Sequence, residues 1–229
     1  MAVILALETS STVCAIALSK DGALLGTSEL QIEKSHSSHI TVMIGQLLNN
    51  CGLTEKDLSA VAVSGGPGSY TGLRIGSATA KGLCFALDIP LIEVSTLHAL
   101  AKNVIKFTPE PERYLFCPML DARRMEVYTS LLNDELQEVL PVEPVVLQEN
   151  SFHAYLDQHQ IIFFGSGAAK FKQLLGPHQN ALFLEDVKLS AKPVLELAEP
   201  KYEEKMFEDV AYYEPYYLKE VHITSKKKA

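Results

Sequence analysis

The chain opens on apolar runs of strand length. VILAL is continuous, TVCAIALS alternates in part, and Lys20-Asp21-Gly22 leads into ALLGTSEL, an Asp-Gly hairpin signal. A helical period follows. Ile40, Met43, Ile44, Leu47, Leu48 and Cys51 fall at i, i+3, i+4 and i+7 spacing, and Gly52 supplies the stop. Thr54-x-x-Asp57 has the form of a cap for a short second helix. AVAVS then predicts a buried strand, GGPGS a loop, and Tyr70 to Leu87 a helix broken at Asp88-Ile89-Pro90. LIEV is the next strand, and Ser95 is placed to N-cap the helix TLHALAKNV.

The resulting order is three strands, then helix, strand, helix, strand, helix. An antiparallel start continued by parallel βα units is the ribonuclease-H-like order, shared by actin, Hsp70 and sugar kinases. Near PEPER (109–113) the pattern restarts. YLFCPML, EVYTSLLN and QEVLPVEPVVL predict strands, SFHAYLDQH a helix, IIFFGSG a strand with a glycine turn, AKFKQLLG a helix and NALFLED a strand. The expected fold is therefore α/β, with two ribonuclease-H-like (actin-like ATPase) domains, the second partly degenerate. Residues 1–108 form the first and 109–229 the second, and SKKKA at the end is expected to be frayed.

Composition narrows the function classes. At 229 residues and 47% hydrophobic content the chain can bury two modest cores or one large one. A formal net charge of −8 opposes an independent grip on nucleic acid, which needs a basic footprint. Cys14, Cys51, Cys84 and Cys117 stand singly in apolar segments with no CxxC pair, so they are expected to be small buried hydrophobes in a reducing compartment. Met1 leads into VILALE, too short and lacking the basic flank of a signal peptide, and no run approaches a membrane span. The expected location is the cytoplasm, with no membrane partner.

The glycine loop SGGPGSYTGLRIG (64–76) is the sharpest candidate for chemistry. It departs from a dinucleotide fingerprint, because it follows the fourth strand and Thr71 replaces the third glycine. It also departs from a Walker motif, because Gly72 is followed by Leu73. A tight strand-to-helix turn is the plain reading, beside residual phosphate contact at the helix N-terminus. Behind the loop, Gly72, Gly76, Ala80 and Cys84 lie four apart on one helix face. Glycine inside a helix costs roughly 1 kcal/mol relative to alanine, so the stripe calls for a close contact, with the chain's own sheet or with a partner helix.

Other groups weigh less. ALETSST sits where actin-like ATPases carry a glycine-rich phosphate hairpin, but Glu8 stands for the usual Asp and no glycine precedes Gly22. Good ATP binding by this chain alone is not expected. His36 and His39 share a helix face without a third ligand, so solvated or interface histidines are expected. Asp121-Ala122-Arg123-Arg124 is a polar turn or a ligand contact. Tyr212, Tyr213, Tyr216 and Tyr217 around Pro215 form either a docking surface or the packing of a final segment.

GGPGSYTGLRIGSATAKGL resembles the signature of the TsaB (YeaZ) family of bacterial tRNA threonylcarbamoyladenosine biosynthesis accessory proteins. ALETSS, DARRMEVY and the closing PYYLK are similar to further blocks of that family, whereas residues 130–210 match only diffusely. The catalytic paralogue TsaD shares the loop, the helix and IPLI, then carries Val-Asn-His-x-x-x-His. Here Val94-Ser95-Thr96-Leu97-His98-Ala99-Leu100 puts Thr96 and Leu100 at the two ligand positions. His98 points roughly 200° away from Thr96 on a helix. The resemblance thus implies a non-catalytic subunit with no metal and no cofactor.

The same resemblance implies partners: a TsaD-type catalytic subunit, a TsaE-type ATPase, a second copy of the chain when alone, and tRNA only through the complex. It places the partner surface on the helices near 35–51 and 70–87, with His36, Ile40, Met43, Ile44, Leu47, Gly72, Gly76, Ala80 and Leu83 as the expected interface residues. Two alternatives stand beside it. An actin-like phosphotransferase fits the fold but lacks the phosphate hairpin, and a metallopeptidase lacks its ligands.

Overall fold

In the computed structural model, which describes residues 2–32 and 36–218, the apolar runs assemble into two five-stranded sheets. SKKKA lies outside the described residues. The first sheet contains β1 (Val3–Glu8), β2 (Cys14–Lys20), β3 (Ala23–Leu30), β4 (Ala60–Gly66) and β5 (Leu91–Ser95), in the order β3-β2-β1-β4-β5. The second contains β6 (Tyr114–Asp121), β7 (Glu126–Leu132), β8 (Glu138–Val146), β9 (Gln160–Phe164) and β10 (Ala181–Leu184), in the order β10-β9-β6-β7-β8. In both sheets three strands pair antiparallel and the next two join in parallel. The ribonuclease-H-like order thus occurs twice, and the α/β class follows from it.

The helices are α1 (His36–Asn50), α2 (Tyr70–Leu87), α3 (Thr96–Ile105), α4 (His153–Leu156), α5 (Ala168–Leu175) and α6 (Ala191–Glu203). Strand side chains alternate between faces, and that alternation sets the layers. Val3, Leu5 and Leu7 of β1 pack with Ile40, Met43 and Ile44 of α1 and with Ala80 and Cys84 of α2. Ile4 and Ala6 face the other way, onto Val194, Leu195 and Ala198 of α6. Between the sheets, α3 sets Leu97, Leu100 and Val104 against Phe116, Ile162 and Phe164. The outer face of the second sheet, with Cys117 and Met119, is covered by Leu156 of α4 and Phe171 of α5.

Two elements differ from the sequence pattern. SFHAYLDQH yields only the four-residue α4, and α6 carries no clear signal of its own. Pro193 and Pro200 look like helix breakers, yet Pro193 lies in the first turn after the N-cap Ser190, where its nitrogen needs no intrahelical acceptor. A division at 108/109 assigns α6 to the second unit, whereas its packing is on the first sheet. The chain crosses to the second sheet and returns.

The glycine loop owes its sequence to the turn after β1. Thr9 Oγ1 donates to the Gly72 carbonyl at 2.8 Å, and the Ser69 N–H donates to the Ser10 carbonyl at 2.6 Å. A Cβ at Gly72 would overlap the Thr9 carbonyl, one at Gly76 the Thr9 hydroxyl, and one at Gly68 the Ser10 carbonyl. Gly66 has φ 113° and lies against the Tyr216 carbonyl, while the Tyr216 N–H donates to Gly65 at 2.7 Å. The loop is therefore a junction between the first turn, α2 and the C-terminal segment.

Gly76→Leu is expected to lower the stability of the isolated chain by at least about 1–3 kcal/mol, the usual cost of overpacking. At about 2–4 °C per kcal/mol for a chain of this size, calorimetry will read the loss as a drop in melting temperature. Gly82→Ala serves as the contrast: nothing lies within 4 Å of its added Cβ, so the helix gains up to about 1 kcal/mol. Equal melting of the two variants would refute the internal packing of the stripe.

Candidate functional site

The nine expected interface residues occupy the inward faces of α1 and α2. Ile40, Met43, Ile44 and Leu47 of α1 and Ala80 of α2 are buried in the first core, with Leu83 half-buried beside them. His36 is buried with its Nε2 3.1 Å from the Val13 carbonyl, and Gly72 and Gly76 are closed by Thr9. Within the chain these side chains are taken up by its own packing. Helical periodicity finds the apolar stripe, and in these helices that stripe covers their own sheet.

The loop and the first turn also define what this corner can bind. The Thr9 and Ser10 carbonyl oxygens lie against the start of α2, and Ser69 caps its first turn by accepting from Gly72 N at 3.3 Å. Carbonyl oxygens at that place oppose the negative oxygens of a phosphate, which seeks N–H groups. The residues present do not fit the phosphate cradle that the fold carries in its ATPases.

Glu8 ends β1 inside the core and is fully buried. Its carboxylate accepts from Ser10 N at 2.7 Å and Ser10 Oγ at 2.5 Å, and from Ser64 Oγ of β4. Burial pushes its pKa up, against the lowering effect of these three donors. The group thus ties the ends of β1 and β4 together directly behind the glycine loop. The cue in the sequence is a lone glutamate closing the apolar run VILALE.

On α3, capped by Ser95 through His98 N at 3.5 Å, Thr96 and Leu100 are both buried. Leu100 belongs to the core against the second sheet. His98 faces elsewhere, with Nε2 3.7 Å from Glu138, and burial lowers its pKa. Among the described residues no group of three or more His, Cys, Asp or Glu side chains is arranged to hold a metal ion. All four cysteines are free, and Cys14, Cys84 and Cys117 are buried. Asp121 to Arg124 form the polar turn between β6 and β7, where Asp121 accepts from Arg123 N at 2.6 Å and from Lys170 Nζ at 2.6 Å.

The tyrosines divide. Tyr217 packs on Tyr70 at the start of α2, with ring centroids 5.0 Å apart, and Tyr213 is buried. Tyr212 and Tyr216 are exposed. Lys81 of α2 holds the segment by donating to the Ala211 and Tyr213 carbonyls. No helix among the described residues is long and apolar enough to cross a membrane.

Glu8 generates a pH prediction. Its pKa in the fold lies above the ordinary value of 4.5, so the native state keeps a proton that the unfolded chain releases. Its contribution is therefore fully present below about pH 4.5 and is lost as pH rises through the raised folded value. Glu8→Gln removes this proton, so calorimetric melting of the variant should fall less from about pH 5 to about pH 8 than that of the wild type. Parallel profiles would contradict the assignment.

Comparison with known proteins agrees with this geometry. A family model described as TsaD: tRNA N6-adenosine threonylcarbamoyltransferase matches residues 30–222. The tRNA threonylcarbamoyladenosine biosynthesis protein TsaB of Haemophilus influenzae is 32% identical over 98% of this chain and 96% of its own. TsaB of Bacillus subtilis is 36% identical over 75% of this chain and 74% of its own. The solved structure of YeaZ from Pseudomonas aeruginosa superposes with a TM-score of 0.79 at 26% identity, covering 95% of this chain and all of that one. With the duplicated sheet order, the glycine loop closed by the first turn, and relatives of this name matching over three quarters of the chain or more, the chain belongs to the TsaB family of tRNA threonylcarbamoyladenosine biosynthesis proteins, within the span of the TsaD family model.

Proposed function

We propose that the chain serves threonylcarbamoyladenosine formation in tRNA as a partner subunit with no catalytic centre of its own. It pairs with a TsaD-type catalytic subunit, works with a TsaE-type ATPase, and forms homodimers when alone, all in the cytoplasm. The observation that supports the non-catalytic role lies on α3. Thr96 and Leu100 stand where the resemblance to TsaD places two histidine ligands, and both are buried. Neither a threonine hydroxyl closed in the core nor a leucine replaces an imidazole. A net charge of −8 agrees with tRNA being held by the complex rather than by this subunit.

The pairing surface in this reading is the outward side of α1 and α2, on the unit we assign to residues 1–108. Val42 is 53% exposed on α1, and Phe85 is 86% exposed on α2. Gly45 and Gly82 have nothing within 4 Å of where a Cβ would stand, so the chain's own packing explains neither. Ala78, Gly82 and Ala86 are exposed at four-residue spacing beside Phe85, leaving a shallow strip that another helix can approach closely. An exposed aromatic beside such a strip has the character of an interface anchor.

Phe85→Glu is expected to weaken association with the TsaD-type subunit by at least about 30-fold, the effect of losing an anchor worth about 2 kcal/mol. Its melting temperature should stay within a few degrees of wild type, because the side chain supports nothing inside the fold. Sedimentation of the mixed subunits reads the first effect and calorimetry the second. Unchanged association would refute this surface.

A further inference from the structure

A cleft of about 650 Å³ lies where the two sheets and the C-terminal segment meet, and the pairing surface proposed above makes no use of it. Its walls carry Glu93 from β5, Glu138 from β8, and Glu208, Asp209 and Glu214 from the segment after α6. No lysine or arginine lines it among the described residues. Lys201, whose charge acts on Glu93, is bound through Nζ to the Glu93 backbone carbonyl at 2.7 Å. Such a wall repels phosphates and other anions.

Tyr213 supplies an independent sign that something is held here. This wall residue is 7% exposed, and its hydroxyl has no hydrogen-bond partner among the described residues. Buried tyrosine hydroxyls ordinarily find one. Burial, then the nearby carboxylates of Glu93 and Glu208, push its pKa up, so the phenol stays protonated and offers both a donor and an acceptor. Gly65 keeps this corner open, because a Cβ there would overlap the Glu93 carboxylate. Tyr212, Tyr216, Pro141 and Val142 add aromatic and apolar wall.

We infer that this cleft is a binding site for an organic cation, an ammonium or guanidinium group on an apolar stem. The carboxylates of Glu93 and Glu208 hold the charged head, Tyr213 Oη accepts one of its N–H groups, and the tyrosine faces and Pro141 cover the stem. Two sources carry this chemistry: a free polyamine, or an arginine side chain presented by another protein. A bare divalent ion does not match, since the cleft lacks a metal-ligand grouping among the described residues.

The test uses the full chain titrated with agmatine, a mimic of the arginine side chain, and with spermidine, followed by calorimetry and by NMR of the tyrosine rings. Saturable binding at one equivalent, weakened by salt, is expected. The pair Glu93→Gln and Glu208→Gln should weaken it at least about tenfold, and Tyr213→Phe, which keeps the ring and its packing, by several-fold. Preference for agmatine assigns the site to a protein arginine, and preference for spermidine to a free polyamine; either supports the cation site. Absence of binding by both probes to folded protein, binding untouched by these variants, or tighter occupation of the cleft by ATP would overturn it.

Discussion

Thr9 seated against Gly72 and Gly76 is the contact on which the rest of the first unit depends. The Thr9 carbonyl closes on Gly72 and its hydroxyl on Gly76, approaches that a Cβ at either position would block. Through it, the turn after β1 fixes the start of α2. Glu8, one residue earlier, fixes the ends of β1 and β4 through the Ser10 and Ser64 hydroxyls. The loop between β4 and α2 then receives the returning C-terminal segment at Gly65 and Gly66. Three distant stretches of chain are thereby held at one corner.

The packing of that corner decides what it can hold. A cradle for phosphate presents N–H groups and leaves space between the first turn and the helix. Here carbonyls and hydroxyls close the space. On α3, Thr96 and Leu100 are buried, and no group of side chains among the described residues is arranged to hold a metal ion. The duplicated sheet order is kept while the corner behind the glycine loop is packed. Outside this packed interior lie the two surfaces proposed for binding, the outward side of α1 and α2 and the acidic cleft between the sheets.

The strands and the helices α1, α2, α3 and α5 were legible because their apolar periods are unbroken and their stops are conventional. Gly52 with φ 69° ends α1, and Asp88 with φ 54° ends α2. The restart after PEPER was legible as well, since β6 to β10 repeat the order of β1 to β5. α6 was not, because its two prolines mimic breaks and its partner sheet lies almost the whole chain away in sequence. Of the small-residue stripe on α2, the spacing was legible and the contact that closes on it was not. Small residues at four-residue spacing announce a close approach without naming the approaching atoms, and in this chain Thr9 is the nearer claimant. The outer strip of Ala78, Gly82 and Ala86 has the same spacing, and only burial separates one stripe from the other.

Thiol labelling separates the two stripes most directly, because Cys84 already stands on the inner one. It is 1% exposed, it donates to the Pro90 carbonyl at 3.4 Å, and burial raises its pKa to about 11. A cysteine placed at Ala78 reports the outer stripe. In the free chain, labelling located by mass spectrometry should leave Cys84 unmodified while the cysteine at 78 reacts readily. Addition of a TsaD-type subunit should protect position 78 and leave Cys84 as it was. Ready labelling of Cys84 in the free chain, abolished by that partner, would contradict the account.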